Sequence, residues 1–358
     1  MGTDGSQRAE WDLLLCSGLP RGEEARKKFE EAAVHVTDPW LLLRLAERSR
    51  LLVWLAVELS AVEPPTDDLR FLRGHLAPVA RLMRRQTEVI SAVAARVVGI
   101  LEEGGIPVAV TKGCALQHLV YTDGSRTFKD CDFMIRPEDA TAAATLLSTG
   151  GAVQGYYKVG SNTASPLDLQ TRLIYARSPD HLPKMVVSTG DDLVAAVNVD
   201  VAYSFTWASS AWQIDHSPAL LSRTSIPAGD GSLPCLPNPY HFLFVCLHLF
   251  REAWHEMTMR KVYLAQLRDV ACFAAVLSED ERRTVTTLAS SFGLEYPFTW
   301  VLAHCDEVFD GELLQVFDMP RADASELNTV MLRGDRMGRW RGTMTDRLTT
   351  GDIAIESS

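Results

Sequence analysis

A chain of 358 residues that is 47% hydrophobic is too apolar to stay disordered and long enough for two or three subdomains with a sizeable core. A net charge of -11 argues against a non-specific nucleic-acid binder, which needs a basic track. The 7 cysteines are odd in number and widely spaced with no C-x-x-C, which fits reduced thiols and excludes a disulfide framework or zinc knuckle.

The N-terminus lacks the basic-then-apolar pattern of a signal peptide, and no apolar run is long enough to span a bilayer. The chain therefore reads as cytoplasmic, with no membrane partner. Met1 to Gln7 and Thr349 to Ser358 are small and polar and read as frayed ends. Glu10 to about Gly105 reads as helices. Asp38-Pro39 supplies an N-cap and a first-turn proline, and Leu41, Leu45, Leu52, Leu55 and Leu59 recur at helical spacing. The next helix is expected to break between Gly74 and Pro78 and to end at Glu102-Glu103-Gly104-Gly105. Its arginines, among them Arg84, Arg85 and Arg96, read as a solvated face from which one or two can meet an anionic ligand.

From Ile106 the pattern changes. Ile106 to Val110 reads as a strand, Ala115 to Tyr121 as a helix, Phe128 to Ile135 as a strand, and Pro137 to Leu147 as a helix. Ala152 to Val159, Thr171 to Ala176 and Val194 to Ser204 read as further strands. From Asn238 the chain turns helical again, through Pro239 to Trp254, Thr258 to Leu277 and Glu279 to Phe292, before a charged stretch from Arg321 to Leu348. His241, His248 and His255 recur every seven residues; zinc ligands on a helix sit three or four apart, so this reads as a packed or half-exposed stripe.

Chemistry concentrates in Asp130-Cys131-Asp132, at the mouth of the apolar strand Phe133-Met134-Ile135. Alternate strand residues share a face, so the two carboxylates project together and Cys131 points into the core. Such a pair repels unless a cation lies between the two, and a hard divalent ion takes carboxylate oxygens. Asp200, mid-strand between apolar neighbours, is the candidate third acid, and three such acids can hold two ions about 3.5–4 Å apart. Lys112-Gly113 follows a strand and opens a helix, where phosphate oxygens can bind. Arg126 lies four residues before Asp130 and can neutralise a triphosphate; an ordinary turn arginine is its plainer reading.

The order Ile106-Pro107, Lys112-Gly113, Tyr121, Arg126, Asp130-x-Asp132, Arg136-Pro137-Glu138-Asp139 resembles the uncharacterised bacterial nucleotidyltransferase family of the polymerase-β-like nucleotidyltransferase superfamily. His181-Leu182-Pro183-Lys184 resembles that family's His-bearing strand, and Asn198-Val199-Asp200-Val201 its third-acid strand. The chain departs from the wider superfamily in carrying Lys112-Gly113 where Gly-Ser is usual, and from the family in Ala202-Tyr203 where His-Trp often follows.

The resemblance implies an α+β fold: a small mixed, palm-like sheet in 106–236, flanked by helical regions at 1–105 and 237–358. It implies two Mg²⁺ held by Asp130, Asp132 and Asp200, with Mn²⁺ as the alternative ion, and Lys112, Gly113 and Arg126 at the nucleotide; His181 can touch phosphate or acceptor there, a strand-edge histidine making one hydrogen bond being its plainer reading. The reaction implied moves a nucleoside monophosphate from an NTP co-substrate to a hydroxyl or phosphate. A small molecule or peptide of a specialised biosynthetic pathway is the expected acceptor, with a protein or tRNA as the other possibility. Two rivals stand beside this reading: a degenerate nucleotide-binding protein, and a scaffold in which the acids are structural.

Overall fold

The computed structural model describes residues 8–158, 163–177, 180–207, 210–229, 231–254, 262–321, 324–332, 336–350 and 355–357. The chain divides into two compact units, Leu82–His241 and Met1–Arg81 with Phe242–Ser358.

The sequence divides the chain at 105/106 and 236/237, whereas the units part at 81/82 and 241/242. The helix Asp67–Glu103 explains the first difference. Its Ile90, Val93, Ala94, Val97 and Leu101 form a stripe of helical period, buried in one cluster with the sheet of Leu82–His241. The same helix runs unbroken through Gly74 and Pro78, against the expected break. An interior proline costs about 3 kcal/mol. Each fully buried leucine returns about 1.5–3 kcal/mol, and Leu69, Leu72 and Leu76 before the proline are buried.

Among the described residues of Leu82–His241, one mixed sheet has eight strands. They are β1 (Ala109–Thr111), β2 (Asp130–Met134), β3 (Val153–Lys158), β4 (Thr163–Pro166), β5 (Met185–Ser188), β6 (Ala196–Ala202), β7 (Thr224–Ala228) and β8 (Gly231–Cys235). Their spatial order is β4-β3-β5-β6-β2-β1-β8-β7, with β2–β6 and β1–β8 parallel and the other pairs antiparallel. The α+β class holds, but the sheet is not small: β4, β5, β7 and β8 add to the strands legible in the sequence. Thr171 to Ala176 is a correction too, since Leu169–Arg177 is helix. Asp168 caps it, Oδ1 accepting the Thr171 amide at 2.7 Å and Oδ2 the Thr171 hydroxyl at 3.0 Å.

The sheet has two unlike faces. Cys131, Phe133 and Ile135 at β2 and Val197, Val199 and Val201 of β6 alternate into the buried cluster with the helix stripe. Asp130, Asp132, Asn198 and Asp200 alternate onto the other face.

In Met1–Arg81 with Phe242–Ser358, Asp38 caps its helix as expected, its Oδ1 accepting the Leu41 amide at 2.9 Å beside Pro39. The core there is aromatic: Phe242 stacks on Phe317 at 5.2 Å and meets Phe273 edge-on at 5.5 Å. The C-terminal region is not wholly helical. β9 (Thr329–Leu332), β10 (Arg336–Trp340) and β11 (Ile355–Ser357) form an antiparallel sheet that buries Val330, Leu332 and Trp340. The helix expected from Thr258 begins, within the described residues, at Leu264. His255, Thr258 and residues 1–7 lie outside the described residues. Among the described residues no helix is long and apolar enough to cross a membrane.

Candidate active site

β2 and β6 run parallel, with Asp130 opposite Asn198 and Asp132 opposite Asp200. Adjacent strands stand about 4.8 Å apart, so register alone gathers the three carboxylates on one patch. On the far side of β2 lies β1, antiparallel, with Thr111 opposite Asp132. The chain leaves β1 through Lys112, whose φ is 50°, and enters the helix Lys112–Leu119. The Lys112 ammonium reaches back over the strand edge, its Nζ 2.8 Å from Asp132 Oδ1.

The charges answer one another. Burial pushes the Asp132 carboxyl up to about 7; Lys112 pulls it down, while Asp130 and Asp200 push it up. Burial favours the neutral form of Lys112, but Asp132, then Asp200 and Asp130, outweigh it and hold the ammonium above its usual range. The three carboxylates share this face, and the Lys112 ammonium pairs with one of them, Asp132.

The turn carrying Lys112 is closely fitted. A Cβ on Gly113 would lie 2.6 Å from the Phe128 Cβ, so only hydrogen fits against that side chain. Gly113→Ala is expected to lower stability by about 1–3 kcal/mol through overpacking, read as a fall in Tm. The Lys112 amide donates to His241 Nε2 at 3.0 Å. His241 is fully buried, and burial pushes its imidazolium from 6.5 down to about 3.

That shift gives a pH dependence. The folded chain keeps His241 neutral, while the unfolded chain takes up a proton below about 6.5. Stability is unaffected by this group above that pH and falls as pH drops from there toward 3. By pH 5 the loss is about 2 kcal/mol. Urea denaturation at pH 7 and pH 5 checks it: His241→Gln should lose about 2 kcal/mol less than wild type across that interval.

The other candidate residues are placed as follows. His181 forms a bridge with Ala202, two residues past Asp200, with its Nδ1 3.3 Å from Asp180 Oδ1. Antiparallel partners share a face, so His181 stands on the carboxylate side of the sheet. It is not in a strand of its own; Pro183 follows it closely and β5 begins only at Met185. The Arg126 guanidinium donates to the carbonyl of its neighbour Thr127. Arg85 pairs with Asp191 and Glu88, and Arg96 donates to the Gly150 carbonyl at 2.7 Å. Arg84 lies over the turn leading to β2, its Nε 3.2 Å from where a Gly124 Cβ would stand. Cys131 points into the core as expected, its thiol against the Ile90 carbonyl at 3.4 Å and pushed up by burial.

Sequence reading missed three residues here: His241, Thr111 and Asn198. Thr111 and Asn198 were findable, since they are one strand position from Lys112 and two from Asp200. His241 lies 129 residues from Lys112 and carries no local signal.

Thr111 Oγ1 and Asn198 Oδ1 are buried on the carboxylate face without a hydrogen-bond partner. Orphaned oxygens beside in-register carboxylates are a donor set that suits a hard divalent cation. As placed, no group of three or more His, Cys, Asp or Glu side chains among the described residues is arranged to hold a metal ion. Asp132 is instead turned to the Lys112 ammonium. Asp130, Asp132 and Asp200 share one face in register, and they would hold such an ion by their chemistry, not by their present arrangement.

None of the curated proteins matches the chain. Among solved structures, it is similar to the crystal structure of an antigenic nucleotidyltransferase-like protein from Paracoccidioides brasiliensis. The identity is 12% and the TM-score 0.36, over 67% of this chain and 96% of that one. The model of the family described as uncharacterised nucleotidyltransferase matches residues 35–310, a span that takes in every strand of the carboxylate-bearing sheet, and the chain belongs to that family.

Proposed function

We propose that the carboxylate face transfers a nucleoside monophosphate from an NTP to an acceptor hydroxyl or phosphate, using Mg²⁺ or Mn²⁺. The observation that carries this reading is the pairing of Asp132 with Asp200, with Asp130 two residues along, in a chain of this family. The acceptor oxygen attacks the α-phosphorus, the bond to the bridging oxygen breaks, and pyrophosphate leaves. Bound divalent ions would neutralise the α-phosphate and the leaving group.

The chain's own residues do the rest. Asp200 takes the acceptor proton as general base. Lys112 offers its ammonium to the triphosphate, and Gly113 lets the turn come close to it. Arg126 adds charge, and His181 adds a ring at the end of the same face. The net charge of -11 favours a small molecule or peptide as acceptor over a polynucleotide.

The test is calorimetric titration of each of the four NTPs, with Mg²⁺, into wild type and into Asp130→Asn/Asp132→Asn. Metal-dependent binding of one NTP, lost in the folded double variant, supports the reading. A second reading has its own support: Lys112 satisfies Asp132 internally at 2.8 Å, as a structural ion pair would. It predicts that no NTP binds and that the double variant folds without loss.

A further inference from the structure

We propose that His241 is the positioning residue of this site: its ring nitrogen holds the Lys112 turn in the left-handed conformation that presents the ammonium to the three carboxylates. The consequence for nucleotide binding rests on the nucleotidyltransferase reading; the geometry does not.

Three observations converge. Lys112 has φ 50°, a region that a side-chain-bearing residue occupies only when its surroundings impose it. Its amide donates to His241 Nε2 at 3.0 Å, across 129 residues of chain. His241 is 0% exposed and is fixed in the first turn of the helix Asn238–Trp254, its own amide on the Pro237 carbonyl at 3.0 Å. Cys235 Sγ lies 3.5 Å from the other ring nitrogen, Nδ1. Because Nε2 must accept from an amide, the proton is assigned to Nδ1, toward the sulfur.

The arrangement decides which group of the turn meets an anion. The Lys112 amide is committed to the imidazole, so the turn presents a lysine side chain rather than this amide. With the acceptor removed, the backbone at Lys112 is free to relax to negative φ, and the side chain leaves Asp132. His241 touches neither carboxylate nor substrate in this scheme; it acts through Lys112.

The test uses the full chain and three forms: wild type, His241→Leu and His241→Gln. Gln reaches with an oxygen close to where Nε2 stands, so it restores the acceptor. The first readout needs no nucleotide: lysine-selective ¹⁵N labelling follows the Lys112 amide, and long-range ¹H–¹⁵N spectra report the His241 tautomer. Expected are an Nδ1-protonated ring and an exchange-protected Lys112 amide in wild type. His241→Leu should shift that amide and lose its protection, and His241→Gln should recover it. The second readout is Mg²⁺-dependent NTP affinity, expected about tenfold weaker in His241→Leu and restored by Gln.

A Lys112 amide unchanged in His241→Leu overturns the proposal, as does an Nε2-protonated ring in wild type, which needs no variant to fold. If wild type binds no NTP, the nucleotidyltransferase reading fails while the amide and tautomer still decide this one. A Tm lowered in His241→Leu with unaltered NTP affinity would leave His241 a packing residue and overturn its positioning role.

Discussion

Asp132→Asn is expected to abolish nucleotidyl transfer, by about 10³-fold or more, since it removes a carboxylate that would hold the ion neutralising charge that develops in the transition state. Its effect on folding should run the other way. Asp132 is buried beside two other carboxylates that raise its proton affinity. Removing that charge relieves repulsion, and the amide oxygen still accepts from the Lys112 ammonium. Wild-type stability, or slightly more, is the predicted result in chemical denaturation at pH 8. Purely structural acids would leave no transfer activity to lose, in wild type or variant.

Lys112→Met should be the more damaging change to the fold. The ion pair it breaks is 2.8 Å long, with side chains 16% and 11% exposed. Removing one partner of a pair this buried costs about 3–5 kcal/mol, because the other charge is left without compensation. The loss depends on pH. With Lys112 in place Asp132 already titrates at about 7, against a usual 3.8; without it, burial and its two neighbours push it higher still. A carboxyl raised in the folded state favours folding at low pH and opposes it once ionised. The variant should therefore be least stable above pH 7 and regain stability as pH falls toward 4. Mg²⁺ or Mn²⁺ should recover part of the loss at pH 8 by binding the folded form. A loss equal at all pH values and indifferent to metal would separate Lys112 from the carboxylates.

These two effects depend on residues that were legible in the sequence, for a physical reason. Strand alternation is a local rule, so Asp130 and Asp132 could be put on one face and Cys131 on the other from three residues. Asp200 was visible because an acid among Val197, Val199 and Val201 breaks an apolar pattern. That it stands opposite Asp132 was not legible: register between strands separated by more than sixty residues is set by packing, not by neighbours in the chain.

The misread elements have local causes too. Thr171 to Ala176 is rich in strand formers, yet Asp168 satisfies the first amides of a helix and that cap wins. β7 and β8 carry Pro227 and Pro234, which break the alternating strand pattern in the sequence. β7 is an edge strand, where a missing amide costs little, and Gly229 at φ 59° makes the turn between them. The C-terminal sheet was hidden among charges because few of its described side chains, among them Val330, Leu332 and Trp340, are buried. His241 was seen as one of a stripe of histidines. Its meeting with Lys112 depends on where the sheet delivers β8 beside β1, which no single segment encodes.

The proposed role of the carboxylate face, a metal-dependent nucleotide site, can be read from electron density. The most direct measurement is anomalous diffraction from crystals soaked with Mn²⁺ and a non-hydrolysable NTP. Anomalous density is expected among Asp130, Asp132 and Asp200, with the Lys112 ammonium moved from Asp132 to the phosphates. A map with no density there, and the Lys112–Asp132 pair intact in the presence of Mn²⁺ and nucleotide, would contradict it.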